Sequence, residues 1–151
     1  MSDQPQEERP FAGGFAASVL LSDEAGHVLL VRHNYGLRRW SLPGGVVEPN
    51  ETVRETALRE AREEIGVEVE IGGLHGKYYV HGLERPPVNS HVFLATIRSG
   101  VPHIADKNEI AAIRWCNPVR PPAPLTNDAR AALSDYARGQ SGSARMVARL
   151  T

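Results

Sequence analysis

The chain has 151 residues, of which 41% are hydrophobic, and this length and composition suit one domain with its own core. The formal net charge of −1 gives no overall attraction to nucleic acid or to an anionic membrane, so neither partner is expected. A single cysteine, Cys116, excludes an internal disulfide and is expected to be a buried thiol in a reducing compartment.

The two ends of the chain differ in composition from its middle. Residues 1–10 are polar and acidic, which predicts a disordered leader and argues against a signal peptide. Residues 11–139 are predicted to form one domain, and residues 140–151, with glycine and serine near their start, a mobile C-terminal tail. The alternative is a tail that docks through Met146, Val147 and Leu150. Since no run approaches the ~18 apolar residues of a membrane span, we expect a cytoplasmic protein with no membrane partner.

The first elements of the domain are two apolar runs at 14–21 and 27–32, with an Asp- and Gly-containing turn between them. This pattern predicts two antiparallel strands joined as a hairpin. A loop at 33–39 follows, and Trp-Ser-Leu-Pro then leads to Gly44 and Gly45. Because proline fixes the approach and glycine permits backbone angles closed to other residues, we predict a rigid turn that presents the next element.

That element is predicted to be a helix over residues 52–65. Thr52, followed three residues later by Glu55, fits a capping box, and Gly66 can supply the left-handed residue that ends many helices. At about 100° per residue, one stripe of apolar side chains can face a core. Its members are Val53, Ala57, Leu58, Ala61 and Ile65.

Acidic residues crowd one edge of this helix. Glu60 and Glu64 lie in one row along the helix that contains no basic residue, and Glu63 lies beside them. Arg59 has Glu55 four residues before it and Glu63 four residues after it, and it is expected to form ion pairs with both. Like charges in one row cost stability, and a cation with hard oxygen ligands, such as Mg²⁺, would remove that cost. An ordinary solvated helix of glutamates and arginines is the alternative.

The rest of the chain alternates strand and loop patterns and ends with a second helix. Strands are predicted at 67–71, 74–80, 91–98 and 110–116. Thr126 caps a helix that runs to about residue 138 and ends at Gly139. Strands interleaved with two helices predict the α/β class with a mixed sheet.

One segment combines glycine, acidic and basic residues at fixed spacing. Its members are Gly45, Glu51, Arg59, Glu60, Ala61, Glu63, Glu64, Gly66 and Val67. This pattern resembles the complete signature of the Nudix (MutT-like) hydrolases, although it covers only about a sixth of the chain. The resemblance implies an α/β/α sandwich with the signature loop and helix on one side of the sheet.

The resemblance also implies roles for the signature residues. Glu60, Glu63 and Glu64 would be catalytic and bind Mg²⁺, with Mn²⁺ as an alternative, and Gly45 would either permit the turn or offer its carbonyl to the metal. Arg59, together with Glu51, is expected to orient those ligands, a plain surface ion pair being the other interpretation.

Candidates outside the signature rest on context. Glu109 stands between a polar loop and a strand, where family members often carry a further glutamate that acts as ligand or base; a solvated carboxylate is equally compatible. Arg32, Arg38 and Arg39 form a basic cluster before the glycine turn and could contact phosphates. Tyr78 could stack on a base, although an aromatic residue in a strand usually belongs to a core.

Together these observations predict a metal-dependent hydrolase that cleaves the pyrophosphate linkage of a nucleoside diphosphate joined to another group. The candidate substrates are dNTPs or oxidised dNTPs, ADP-ribose, nucleotide sugars and dinucleoside polyphosphates. No nucleic-acid polymer is expected as a partner, and the protein is expected to be a monomer or homodimer. A non-catalytic module that senses nucleotides or ADP-ribose, and a purely structural acidic helix, are the competing hypotheses.

Overall fold

The computed structural model describes residues 13–150, so the predicted leader lies outside the described residues. Within this range no helix is long and apolar enough to cross a membrane. The elements in chain order are β1 (Gly14–Leu21), β2 (Val28–His33), β3 (Trp40–Ser41), β4 (Gly44–Val46), α1 (Val53–Ile65), β5 (Glu68–His81), β6 (Val88–Ser99), β7 (Ile110–Cys116), α2 (Asn127–Ala137) and β8 (Ser143–Ala148).

The strands form two sheets. The larger has the order β4-β1-β6-β5-β8, and it is mixed as predicted, because β1 runs parallel to β6 and β5 parallel to β8 while the other neighbours are antiparallel. The smaller is antiparallel, with the order β3-β2-β7. The predicted turn between β1 and β2 is confirmed, and Ser22 and Val28 form an antiparallel bridge across it. The predicted hairpin is wrong beyond this bridge, because β1 and β2 belong to different sheets.

The helices cover opposite faces of the larger sheet, which confirms the α/β/α sandwich. Along β1 the side chains alternate between two cores, with Val19 and Leu21 facing α1 and Leu20 facing α2. On α1 the predicted apolar stripe contributes Ala57, Ala61 and Ile65, which are fully buried. The position of α1 on the sheet is therefore set by apolar contact along one face, and its acidic row lies at the border of that face.

Both predicted ends of α1 are confirmed. The Glu55 amide donates to Thr52 Oγ1 at 3.0 Å, and the Thr52 amide donates to Glu55 Oε1 at 2.9 Å, so the capping box is complete. Gly66 has φ 69°, a left-handed conformation that favours glycine, and its amide donates to the Arg62 carbonyl at 3.1 Å. These local bonds fix the start and the end of the helix.

The end of the described chain forms a strand. Residues 143–148, within the predicted mobile tail, form β8 alongside β5, so the prediction of a tail is wrong for them. Asp135 on α2, which is 0% exposed, accepts a hydrogen bond from the Tyr78 hydroxyl at 2.7 Å and forms an ion pair with Arg145 of β8 at 3.4 Å. This buried carboxylate ties α2, β5 and β8 together.

Candidate active site

The acidic row of α1 faces the glycine turn at β4. Glu64 is 3% exposed, and its Oε1 accepts a hydrogen bond from the Gly44 amide at 3.1 Å. Glu60 is 8% exposed, and its carboxylate lies where a Cβ on Gly45 would be. The turn and the helix therefore approach so closely that glycine is required at position 45 for the Glu60 carboxylate to occupy its place.

Burial and mutual repulsion make these two carboxylates hard to ionise. Burial, reinforced by the charge of Glu60, raises the pKa of Glu64 to about 9. Burial also raises the pKa of Glu60, against the opposing charge of Arg59 and with further repulsion from Glu63 and Glu109. Two buried carboxyl groups that lack a full countercharge form a site where a cation would relieve a standing electrostatic cost.

Arg59 is held beside the acidic row by Glu51. Its Nε donates to Glu51 Oε2 at 2.6 Å and its Nη2 donates to Glu51 Oε1 at 3.0 Å, while Nη1 reaches Glu60 at 3.2 Å and Glu63 at 3.1 Å. The hydrogen bonds from Arg59 lower the pKa of Glu51 to about 2. The expected pairing of Arg59 with Glu63 is present, but Glu55 turns to the helix cap instead and Glu51 takes its place.

Glu109 approaches the same edge from the loop before β7. Its charge contributes to the raised pKa of both Glu60 and Glu64, and its own pKa is raised by burial and by the charges of Asp106 and Glu63. Loop 106–109 is fixed by hydrogen bonds from the Asn108 and Glu109 amides to Asp106 Oδ1, at 3.0 and 3.3 Å. The contextual prediction for Glu109 thus gains a location beside the acidic row.

Tyr35 is a neighbour of the site that the sequence pattern did not indicate. Burial and the charges of Glu109, Glu64 and Glu60 raise its pKa, and its ring stacks on His33 with the centroids 4.8 Å apart and the planes 8° apart. The only sequence signal was its position two residues beyond β2, in a loop whose path depends on packing against loop 106–109.

The donor set fits a hard divalent cation. Oxygens of Glu60, Glu63 and Glu64 lie on one rigid helix edge, and Glu109 is near enough for its charge to raise the pKa of Glu64. Across residues 13–150 no three acidic, histidine or cysteine side chains are already drawn together around a common point. Arg59 holds Glu60 and Glu63, and the Gly44 amide holds Glu64, so these side chains would have to turn toward a cation to bind it.

The predicted arginine cluster is partly committed to its own loop. Arg32 Nε donates to the Arg38 carbonyl at 3.0 Å, and Arg38 Nη1 donates to Asn34 Oδ1 at 2.9 Å. The Arg32 guanidinium also lies 5.9 Å from the centroid of the Trp40 ring. Burial lowers the pKa of His33 against the charge of Asp128, and the nearby charge of Arg39 lowers it further. Phosphate contact by these arginines stays a prediction.

The proposed substrate contact of Tyr78 is wrong. Its side chain is 1% exposed in the core under α2, and its hydroxyl is bound to Asp135. The strand parity of β5 turns this ring inward, so the alternative of a core residue holds.

Tyr78→Phe should therefore affect stability and leave substrate binding unchanged. Removing the hydroxyl leaves the buried Asp135 carboxylate short of a donor, for which we expect a loss of about 1.5–3 kcal/mol in the free energy of unfolding. Urea unfolding and steady-state kinetics measure the two effects. A KM raised at least ~10-fold in a variant of unchanged stability would restore the substrate role.

Comparison with known proteins decides the family. The model of the NUDIX domain matches residues 14–136, from β1 to the last turns of α2. The chain belongs to the Nudix family. A candidate 8-oxo-dGTP diphosphatase of Bacillus subtilis (strain 168) is 31% identical over 125 residues, which are 82% of this chain and 79% of that protein.

Two further comparisons illustrate the range of similar proteins. The crystal structure of a MutT Nudix hydrolase from Burkholderia pseudomallei superimposes with a TM-score of 0.76 at 26% identity, covering 82% of this chain and 98% of that one. An ADP-ribose pyrophosphatase of Mycobacterium tuberculosis (strain ATCC 25618 / H37Rv) is 39% identical over 57 residues, only 35% of this chain and 28% of that protein. The chain is thus a Nudix hydrolase, an enzyme of a family that acts on nucleoside diphosphate derivatives.

The two glycines of the Nudix turn should respond differently to alanine. A Cβ on Gly44 would overlap the Ala17 carbonyl and the Ser18 backbone, which cannot move easily, so we expect Gly44→Ala to cost about 1–3 kcal/mol of stability. A Cβ on Gly45 would overlap only the end of the Glu60 side chain, so Gly45→Ala should fold within ~1 kcal/mol of the wild type yet lose at least ~10-fold in turnover. Urea unfolding and kinetics of both variants check this, and the reverse pattern would contradict the assignment.

Proposed function

We propose that this Nudix hydrolase cleaves the pyrophosphate linkage of a nucleoside diphosphate joined to another group, with a divalent cation held by Glu60, Glu63 and Glu64. One observation carries the proposal: Glu60 and Glu64 are buried against the glycine turn with too little compensating positive charge. Mg²⁺ that arrives with a diphosphate substrate supplies that charge, so binding of the substrate and relief of the repulsion coincide.

The cation, Mg²⁺ or Mn²⁺, would neutralise charge on the phosphoryl oxygens and make a water more acidic. The Gly45 carbonyl lies on the same turn and is the proposed fourth ligand. The chain's own residues set the geometry. Glu51 anchors Arg59, and in the metal-free protein Arg59 holds the Glu60 and Glu63 carboxylates on the side of the helix that faces β4, from which they would turn toward the cation.

Proton transfer is proposed for Glu109. Attack by water on phosphorus forms a new P–O bond and breaks the bridging P–O bond, and the water must lose a proton as it attacks. Burial and the neighbouring charge of Asp106 raise the pKa of Glu109, which makes this carboxylate a better proton acceptor than an exposed one. The electrostatic contact of Glu109 with Glu60 and Glu64 supports this role, because a base must lie near the attacking water.

The substrate class is tested by a panel of dNTPs, 8-oxo-dGTP, ADP-ribose, nucleotide sugars and dinucleoside polyphosphates, each with Mg²⁺ and with EDTA. We place 8-oxo-dGTP first, because the Bacillus subtilis relative named for that substrate aligns with most of this chain. We expect release of a nucleoside monophosphate from at least one member, and none in EDTA. Tight binding of a nucleotide without turnover under any metal would favour the sensing module instead.

A further inference from the structure

A second cavity lies away from the acidic row, between the first turn of α1 and the face of the larger sheet. It has a volume of about 590 Å³, which is within the range of small-molecule sites. Its lining consists of Phe15, Val47, Glu51, Thr52, Val53, Leu74, Lys77, His91 and Phe93. Glu60, Glu63, Glu64 and Glu109 are not part of it, so it is distinct from the proposed metal site.

Strand pairing explains why rings gather in this cavity. His91 and Phe93 stand two residues apart on β6 and share one face of the sheet, and Phe15 joins that face because Ala17 is the register partner of His91. The Phe15 and His91 rings lie with their centroids 5.6 Å apart at 33°, and the Arg54 guanidinium lies 5.8 Å from the Phe93 centroid. Aromatic rings therefore line the sheet side of the cavity.

The charges at its mouth are positive. Lys77 is the register partner of His91 on β5, and Arg54 and the amino end of α1 add positive potential on the other side. The one acidic group in the lining, Glu51, is already neutralised, since Arg59 donates to both of its oxygens. An anionic group entering the cavity would thus meet cations without a competing free carboxylate.

His91 adds an unfilled polar position. Its Nδ1 atom is buried and has no hydrogen-bond partner among the residues that the structure describes. Burial and the nearby charge of Lys77 lower the pKa of His91, whereas a hydrogen bond with the Asn89 backbone opposes this shift. Buried polar atoms are normally paired, so a ligand toward which the His91 ring turned this nitrogen would complete the site.

We propose that this cavity binds an organic anion that carries a planar ring, with the ring packed against Phe15 and His91 and the anionic group at Lys77. The proposal does not depend on the proposed hydrolysis, since it uses none of the four glutamates. Aromatic carboxylates and nucleoside monophosphates share this chemistry, and the experiment separates them.

The test uses the full chain with indole-3-acetate, AMP and, as a cationic control of similar shape, tryptamine. Calorimetry measures affinity, and amide ¹H–¹⁵N spectra locate the site. We expect at least one anion to bind with a Kd of ~0.1–1 mM and to shift the amides of Thr52, Val53, Lys77 and His91, with tryptamine at least ~10-fold weaker. The Glu64→Gln variant should bind as the wild type does, which separates this cavity from the catalytic one.

Two variants and a matched control decide the outcome. Lys77→Met should weaken anion binding at least ~10-fold, and Phe15→Ala at least ~5-fold, whereas Arg98→Met, which removes an exposed cation elsewhere on the same sheet, should change nothing. Stronger binding of indole-3-acetate than of AMP identifies a carboxylate site, and the reverse identifies a phosphate site. Absence of saturable binding by both anions, equal binding of tryptamine, or full affinity in both cavity variants overturns the proposal.

Discussion

Glu64→Gln is expected to lower kcat at least ~10²-fold while the domain keeps its fold. The glutamine oxygen can still accept the Gly44 amide hydrogen that Glu64 Oε1 accepts, so the contact between helix and turn survives. The negative charge that would bind the cation is lost, and it is replaced by an amide that binds Mg²⁺ poorly. Steady-state kinetics on the best substrate of the panel, with circular dichroism for the fold, measure both parts.

A matched variant separates this effect from a general loss of acidic charge. Glu70→Gln removes one carboxylate from an exposed position of β5, and kcat should stay within ~2-fold of the wild type. Turnover of Glu64→Gln close to that of Glu70→Gln would show that Glu64 is no metal ligand. Turnover lost equally in both would point to long-range electrostatics instead.

Glu64→Gln should stabilise the metal-free protein, and this stabilisation should increase as the pH rises. The pKa of Glu64 is raised by folding, from 4.5 to about 9, so between these values the folded state binds more protons than the unfolded one. The free energy of unfolding of the wild type therefore falls as pH rises from about 4.5 to about 9. Glutamine does not titrate, so the advantage of Glu64→Gln should grow by up to ~1.4 kcal/mol per pH unit across that window.

Urea unfolding in EDTA at pH 5, 7 and 8.5 measures this difference. The stability advantage of Glu64→Gln over the wild type should be smallest at pH 5 and largest at pH 8.5. Saturating Mg²⁺ should make the wild type the more stable protein, because the cation stabilises only the protein that binds it. A constant difference across the three pH values would contradict the raised pKa of Glu64. Equal stability with and without Mg²⁺ in the wild type would support the purely structural helix.

The predictions that held rest on short-range patterns. The capping box of Thr52 and Glu55 and the left-handed Gly66 involve residues within one helical turn, so their geometry follows from spacing alone. The row of Glu60 and Glu64 follows equally from the helical period, which also predicted that these carboxylates border the buried stripe. That these carboxylates face the glycine turn depends on tertiary packing, and it was expected only from the resemblance to Nudix hydrolases.

The predictions that failed concern contacts between distant segments. β8 is an edge strand in which Val147 alone is buried, so its alternation is too weak to distinguish it from a tail. Its partner is β5, which lies more than sixty residues earlier, and the buried Asp135 that anchors it looked like an ordinary helix residue. The hairpin of β1 and β2 failed for a related reason, since local turn signals do not reveal that two strands diverge into separate sheets.

The partners of Arg59 were also predicted only in part, although Arg59 lies within the signature. Helical spacing predicted that Arg59 pairs equally well with Glu55 and Glu63. In the structure Glu55 belongs to the helix cap instead. Glu51, eight residues before Arg59 in the preceding loop, accepts two hydrogen bonds from the guanidinium. Two parallel N–H···O bonds hold an arginine better than a single solvated ion pair, so Arg59 binds Glu51 rather than Glu55. Tyr35 likewise reaches the acidic row through the course of its loop.

The most direct test of the metal site is a titration of ¹⁵N-labelled protein with Mn²⁺, a paramagnetic ion that broadens the signals of nearby amides and prefers the same oxygen ligands as Mg²⁺. Selective broadening should appear at Gly44, Gly45, Glu60, Glu63, Glu64 and Glu109, should be reversed by excess Mg²⁺, and should be lost in Glu64→Gln. Broadening centred on any other part of the chain, or the same broadening in Glu64→Gln, would contradict the proposal that this helix edge holds the cation.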